Sequence, residues 1–264
     1  MQTLASHDAR TARVPGRIVV VLAAAGEAMT FLEHLDELRK RILWSVVSVV
    51  SAFAVCWMFA DHLYDLAARP IRANAAVTLA VARPQDIFSL WVKVTLAVSL
   101  FVSSPLVLLQ AWLFISPGLH AHERRWAIPF ILLGSVLFAA GGAFGYFIAF
   151  PLMLQFLLDW IAAADLTPVI DAGEYFDLFF SIVVALGIVF QIPAVIFVLS
   201  RIGLVTARML VSYSRHAVVA SLVVAALLTP TTDFGNMLII AGPMVALYAL
   251  GIVIAWAFGR RRSA

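Results

Sequence analysis

Charged side chains are scarce in this chain of 264 residues, of which only 12% are charged and 63% are hydrophobic. Soluble globular domains carry about 25% charged residues, so this chain has too few charges to cover a surface that faces water. The mean hydropathy of +1.00 agrees with that interpretation. The scarcity of charge therefore excludes a soluble domain and predicts an integral membrane protein whose solvent is the lipid bilayer.

Cysteine and catalytic motifs are also nearly absent. The single cysteine, Cys56, lies in an apolar run, which excludes a disulfide framework and favours a simple packing role. No phosphate-binding loop, HExxH motif or GxSxG motif occurs. His120 and His122 beside Glu123 come nearest to a metal cluster, but two arginines follow directly. The sequence therefore predicts neither an enzyme nor a bound cofactor or metal.

Long apolar stretches are abundant. A membrane-spanning helix needs about 20 mostly apolar residues, and we expect an all-α protein with six spans, of which the fifth and sixth are short. The expected spans lie in these stretches: Ile42–Ala60, Val94–His122, Trp126–Leu158, Leu178–Ser200, His216–Thr232 and Phe234–Gly259. Prolines inside or beside the spans predict kinks and hence a curved wall of helices, and we expect Pro151 to end the third helix. Gly141 and Gly145 predict a close helix contact, within the chain or between two copies.

The distribution of Lys and Arg predicts the orientation of the chain. Past Met29, eleven of these residues fall on the side of the two termini and three, Arg69, Arg72 and Arg83, fall on the other. Basic residues accumulate in cytoplasmic loops, so we expect both termini in the cytoplasm. The isoelectric point of 9.3 therefore reports topology and does not indicate a nucleic-acid partner.

The distribution of charged and apolar residues divides the chain into three segments. Residues 1–28 resemble a weak signal peptide, but cleavage there would contradict the charge distribution, so we interpret them as a disordered extension or as sequence upstream of the true start. Residues 29–259 form the membrane domain, and residues 260–264 form a basic cytoplasmic tail.

Two cytoplasmic segments carry candidate functional residues. From Phe31 to Ile42 the apolar residues share one helical face, which predicts an amphipathic helix that leads into the first span. The segment Leu113–Trp126 carries Glu123 beside apolar side chains, and it could bind a basic, partly apolar peptide. Alternatively, Glu123 simply neutralises the two arginines that follow it.

The sequences HLDELRKR and FISPGLHAHERR within these segments resemble signature stretches of the TatC family, the multispanning receptor subunit of the twin-arginine, or Sec-independent, protein translocase. Further matching stretches follow in order: Ala68–Ile71, Phe144–Phe147, Phe150–Pro151, Phe190–Pro193 and Leu228–Pro230 with Asp233. The resemblance covers residues 31–259. It implies a receptor in the bacterial cytoplasmic membrane that binds Arg-Arg signal peptides of folded precursors and self-associates in a larger complex.

The resemblance also implies roles for individual residues. The signal-peptide site would comprise Glu123 as the principal acid, with Glu37, Arg39, Phe114 and Leu119. Pro70 would have a structural role in the first outer loop, and Asp233 matches an acid in the last one.

Small single-span subunits of the TatA and TatB type are the implied partners, and their helices would contact Gln191, Thr229 and Asn236. Gln191 replaces a glutamate that is frequent in the family, and it cannot titrate. The alternative function is a small-solute secondary transporter, which predicts inverted repeats and interrupted helices that meet at mid-membrane. An intramembrane enzyme would need a nucleophile and base inside the spans, and the sequence has neither.

Overall fold

The computed structural model describes residues 31–72, 78–81, 83–116, 126–165, 167–229 and 233–259. Its helices are α1 Phe31–Trp57, α2 Ala60–Arg72, α3 Pro84–Ile115, α4 Ala127–Phe144, α5 Phe150–Ala163, α6 Ala172–Val189, α7 Ile192–Ile202, α8 Ala207–Ser212, α9 Ser214–Leu228 and α10 Phe234–Phe258. The boundary between two compact units lies between Lys40 and Arg41. The segments 1–28 and 260–264 lie outside the described residues, so their assignment stays a prediction.

Five helical segments are long and apolar enough to cross a membrane, and α9 is a shorter apolar helix. The five are Leu32–Trp57, Pro84–Ile115, Ala127–Ala163, Ala172–Ile202 and Phe234–Phe258. The helix expected as the fifth span is short, because the 15 residues of α9 cover about 22 Å, and its crossing of the membrane stays a prediction. The expected short sixth span is wrong, because the 25 residues of α10 cover about 37 Å and the helix continues through Pro243.

The third span continues through Pro151, so the expectation that this proline ends the helix is wrong. Between α4 and α5 lies a π-helical turn, Gly145–Ala149, and the Phe150 N–H donates to the Gly145 carbonyl. This wider turn restarts the hydrogen-bond ladder, so Pro151 occupies the first turn of α5, where a missing N–H is tolerated. One helical segment, Ala127–Ala163, is therefore found where a helix ending at Pro151 was expected.

The fourth span is interrupted near its middle. Phe190 and Gln191 form a turn between α6 and α7, and Pro193 lies in the first turn of α7. A proline removes a donor from the ladder and its ring crowds the preceding turn, which explains why the break precedes it. Because the helix is interrupted there, the Gln191 side chain can point away from the axis of the fourth span.

The largest core cluster packs α2 together with residues of α3, α5, α6 and α10. Phe150, Phe176, Ile182 and Leu186 are at most 1% exposed, and the Phe150 ring packs edge-on against Tyr175 and Phe179. Burial of these side chains supplies dispersion contacts that lipid tails cannot match in density.

Glycines bring the third and fourth spans into backbone contact. A Cβ atom on Gly141 would lie 2.6 Å from the Leu186 carbonyl oxygen, and one on Gly145 would lie 3.0 Å from Val183 Cα. The predicted close contact at the GxxxG pair is therefore confirmed, and it lies within this chain.

Two loops, before α3 and before α6, pair with each other. Strand β1, Thr78–Ala80, lies parallel to strand β2, Val169–Asp171, with Leu79 opposite Ile170. Asp171 then caps α6 by accepting hydrogen bonds from the Gly173 and Glu174 amides, at 2.7 and 3.3 Å. The pairing ties the segment before α3 to the segment before α6.

Candidate functional site

The residues predicted to bind a signal peptide lie on separate elements. Glu37 and Arg39 belong to α1, where Glu37 is half-buried and Arg39 is exposed, and both lie in the unit that ends at Lys40. Phe114 is half-buried in the last turn of α3. Glu123 and Leu119 lie outside the described residues, so their roles stay predictions.

Two side-chain hydrogen bonds lie at the end of α3, before residues 117–125. At the end of α3, the Ser116 hydroxyl donates to the Leu113 carbonyl at 3.1 Å. One helical turn earlier, the Gln110 side-chain oxygen accepts a 3.2 Å hydrogen bond from Arg41 Nη1. This contact joins the start of the first span to the end of the second, and it was not predicted, because a charged residue and a polar residue 69 positions apart leave no local signal.

Trp126, the residue that precedes α4, lies in a cluster of three aromatic side chains. Trp126 packs edge-on against Phe197 and Phe258, with ring centroids 5.9 and 6.0 Å away. Phe197 and Phe258 are themselves 5.8 Å apart. The start of the third span is thereby packed against the ends of the fourth and sixth.

Pro70 lies inside α2, and Tyr146 supplies the hydrogen bond that the proline cannot make. Because proline has no N–H, the Leu66 carbonyl loses its helical donor. The Tyr146 hydroxyl donates to this carbonyl at 2.8 Å, and the Tyr175 hydroxyl donates to the neighbouring Ala67 carbonyl at 3.3 Å. These bonds fix α2 to the third and fourth spans and give a physical basis for the structural role expected of Pro70.

Ion pairs also stabilise this side of the molecule. Arg72 Nη1 lies 2.9 Å from Asp65 Oδ1, and this hydrogen bond raises the pKa of the Arg72 guanidinium above its ordinary value. Lys93 on α3 pairs with Asp177 on α6. Lys93 and Asp177 are 84 positions apart in the sequence, and the fold brings them together.

Asp233 is the N-cap of α10. Its Oδ2 accepts a 3.0 Å hydrogen bond from the Asn236 amide. An N-cap carboxylate satisfies a helix donor and interacts favourably with the positive end of the helix dipole. Asp233 therefore defines where the last span begins.

The predicted partner-contact residues include two buried polar side chains near that cap. Thr229 is 7% exposed, and its hydroxyl donates to the Ala225 carbonyl at 3.1 Å. Asn236 is 3% exposed. They lie on either side of residues 230–232, at the end of the short span and the start of the last one.

Gln191 is held by the third span. Its Nε2 donates to the Gly134 carbonyl at 2.9 Å, while its Oε1 is buried without a hydrogen-bond partner. A buried acceptor that is left unsatisfied is costly. Gln191 thus links two spans within the chain and retains an acceptor for a further donor.

Comparisons with known proteins agree with this architecture. A family model described as the Sec-independent protein translocase protein TatC matches residues 33–243. The TatC proteins of Koribacter versatilis (strain Ellin345) and Campylobacter jejuni subsp. jejuni are 41% and 35% identical to the chain. The first alignment covers 87% of this chain and 86% of the relative, and the second covers 84% and 91%.

A crystal structure of the twin-arginine translocase receptor TatC in DDM superposes with a TM-score of 0.77 at 33% sequence identity. The superposition covers 84% of this chain and 99% of that one. The family match, the relatives and the shared architecture lead to one conclusion: this chain belongs to the TatC family, and it is a multi-pass integral membrane protein of the Sec-independent protein translocase.

Proposed function

We propose that this chain is the core subunit of a twin-arginine translocation complex in the bacterial cytoplasmic membrane. In this role it binds the Arg-Arg signal peptides of folded precursors on the cytoplasmic side. It then assembles with single-span TatA- and TatB-type subunits and with further copies of itself, and the proton gradient drives export. The observation that carries the proposal is the structural match to a twin-arginine translocase receptor over 84% of the chain.

Recognition of the arginine pair follows from carboxylate chemistry. Each guanidinium can bind a carboxylate through two parallel hydrogen bonds, whereas a lysine ammonium lacks the planar pair of donors that this geometry requires. We assign Glu123 as the principal acceptor and Glu37 as the second, with Arg39 beside it. Phe114 and Leu119 would contact the apolar part of the peptide. Hydrogen bonds to charged groups contribute about 1.5–3 kcal/mol each, which is enough to discriminate arginine from lysine.

Partner helices would bind through polar groups inside the membrane. The unsatisfied Oε1 of Gln191 supports a contact with a donor side chain of a single-span subunit. Thr229 and Asn236 form a second candidate position, because both are polar and buried beside a short span. Interhelical hydrogen bonds in membranes contribute about 0.6–2 kcal/mol each.

The comparisons give no support to the alternative function, a small-solute transporter, although the fourth span is interrupted, as such a transporter predicts. Among the described residues, the buried polar side chains are hydroxyls and one amide: Thr95, Ser99, Ser103, Ser104, Ser200, Ser221, Thr229 and Asn236. Proton-coupled transporters place ionisable groups at mid-membrane, and these side chains do not titrate there.

Export of a twin-arginine reporter tests the proposal. Cells that lack their own TatC would receive this chain with its native small subunits, as wild type, Glu123→Ala or Glu174→Ala, with membrane levels of each checked. Glu174 is an exposed acid of α6 and serves as the matched control. We expect export by the wild type and by Glu174→Ala and at least a tenfold loss in Glu123→Ala.

The other outcomes are informative in different ways. Equal export by all three variants would remove Glu123 from the recognition site and keep the translocase assignment. Absence of export by a well-inserted wild-type chain, with its own small subunits present, would contradict the proposed function.

A further inference from the structure

An apolar cavity of about 290 Å³ lies between α2 and three of the spans. Its lining includes Ala67 of α2, Ala97 of α3, Ala143 of α4 and Val183 of α6. The volume is nearly twice that of an apolar cavity that holds a benzene molecule, about 150 Å³. The cavity therefore has room for a flexible hydrocarbon chain.

The floor of the cavity is buried, whereas its rim is exposed. Ala67, Phe179 and Val183 are buried, but Leu66 and Phe147 are 40% and 70% exposed. The cavity thus opens on the surface of the spans. Because this chain is an integral membrane protein, that surface faces lipid, and the opening meets hydrocarbon.

The polar side chain that lines the cavity already has a partner. The Tyr146 hydroxyl donates to the Leu66 carbonyl at 2.8 Å, and the other lining side chains of the described residues are apolar. A buried water needs two to four polar partners, so apolar cavities stay dry. An empty cavity would leave its walls without dispersion contacts. An acyl chain is therefore the occupant that the surroundings supply.

Arg69 places a positive charge beside the cavity. It lies one helical turn after Leu66, its side chain is exposed, and its guanidinium is near enough to Tyr146 for an electrostatic interaction. Asp65, one turn earlier, pairs with Arg72 at 2.9 Å. No carboxylate of the described residues pairs with Arg69, so its charge is available to an anion at the rim.

We propose that this cavity binds an anionic phospholipid, with one acyl chain between α2 and the spans and the phosphate group on Arg69. A guanidinium can bind a phosphate through two parallel hydrogen bonds, and cationic residues beside membrane helices attract anionic headgroups. The acyl chain would fill the space that the small side chains of α2, α3 and α4 leave. Such a site would be independent of signal-peptide recognition.

Native mass spectrometry of the purified full chain in detergent tests the proposal. The chain would be titrated with dioleoyl phosphatidylglycerol, which is anionic, and with dioleoyl phosphatidylethanolamine, which has the same acyl chains and no net charge. Ala143→Leu fills the cavity. Its matched control is Ala140→Leu, because Ala140 is also exposed on α4 and does not line the cavity. Arg69→Gln removes the cation, and its control is Arg83→Gln, at an exposed arginine away from the cavity.

We expect the wild type to bind the first phosphatidylglycerol at least fivefold more tightly than the first phosphatidylethanolamine. Arg69→Gln should remove this preference. Ala143→Leu should weaken binding of both lipids about three- to tenfold, because leucine occupies the space of the acyl chain, and both controls should match the wild type. If Ala143→Leu fails to insert, Ala139→Leu replaces it, because Ala139 is also exposed and lines the cavity.

Three results would overturn the proposal. Equal affinities of the wild type for the two lipids would exclude an anionic phospholipid as the specific occupant. Equal losses in Arg69→Gln and Arg83→Gln would indicate attraction by the general surface charge. Unchanged lipid affinity in Ala143→Leu would show that the acyl chain lies elsewhere, and reduced copurification of a single-span subunit in that variant would identify a partner side chain as the occupant.

Discussion

At the scale of single residues, Pro70 shows how this fold compensates for a missing backbone donor. In a regular helix the N–H of residue 70 would donate to the Leu66 carbonyl. Tyr146 supplies that donor from the third span, 80 residues away, at 2.8 Å. The proline thus creates an acceptor that only a tertiary contact can satisfy.

This arrangement predicts that Tyr146 and Pro70 are energetically coupled. Tyr146→Phe should lower the free energy of unfolding by about 1 kcal/mol, because it removes a hydrogen bond and leaves the carbonyl without a donor. In a Pro70→Ala background, the substituted residue supplies its own N–H to the Leu66 carbonyl, so the same change should cost only about 0.3 kcal/mol. Unfolding in detergent would measure both effects.

Tyr213→Phe is the control for that cycle, because the Tyr213 ring is 59% exposed and its hydroxyl has no hydrogen bond among the described residues. It should have no effect in either background. An equal cost of Tyr146→Phe in both backgrounds would show that the hydroxyl serves a purpose other than compensating for Pro70.

At the scale of elements, the third and fourth spans illustrate packing through backbone contact. Lipid tails are as apolar as leucine, so helices in a membrane associate through close packing more than through hydrophobicity. Gly141 meets the backbone of Leu186 and Gly187 directly, at a turn where neither helix can yield without displacing the other.

Gly141→Ala should therefore destabilise the protein by about 1–3 kcal/mol, the usual cost of overpacking. The added Cβ would lie 2.6 Å from one backbone atom and 2.9 Å from another, so side-chain rotation cannot relieve the clash. Thermal unfolding of the purified protein would measure the loss.

Gly242→Ala provides the matched comparison, because a Cβ there has no heavy atom within 4 Å. That variant should be neutral or slightly more stable, since alanine favours a helix by about 0.5–1 kcal/mol over glycine. A similar loss in both variants would contradict the view that helix contact makes Gly141 necessary.

At the scale of the whole molecule, the proposed assembly with single-span subunits would use the Gln191 Oε1, a buried acceptor without a hydrogen-bond partner among the described residues. Gln191→Leu should reduce the amount of single-span subunit that copurifies, because it removes the Oε1 acceptor proposed for a partner's donor. A loss of about 0.6–1.7 kcal/mol corresponds to a roughly three- to fifteenfold weaker association. Quantitative copurification from membranes would measure it.

Gln155→Leu is the control for this assembly test, because Gln155 is exposed on α5 and has no predicted partner role. Thermal unfolding of both variants would separate assembly from the lost Gly134 contact. Unchanged copurification in Gln191→Leu would exclude Gln191 from the subunit interface.

Several properties could be predicted without a structure, because they depend on composition and on short segments. The scarcity of charge was sufficient to predict a membrane protein, and the long apolar stretches were sufficient to predict its five long apolar helical segments. HLDELRKR and FISPGLHAHERR were sufficient to identify the family, because two specific motifs in the same order carry more information than a hydrophobic periodicity. The signal-peptide residues Glu37, Arg39, Phe114, Leu119 and Glu123 were named on the same basis, and their roles await the export experiment.

Other properties depended on contacts between distant residues. The helix passes Pro151 because a π-helical turn accommodates it beside a packed neighbour, and local rules for proline favour a helix end there. The last span proved longer than expected because Asp233 caps it at its start and Pro243 does not end it. The hydrogen bonds of Tyr146, Tyr175 and Arg201 join residues 80, 108 and 57 positions apart. Sequence patterns report which side chains prefer lipid, but only the folded chain determines which donor meets which carbonyl, because that choice depends on the packing of helices far apart in sequence.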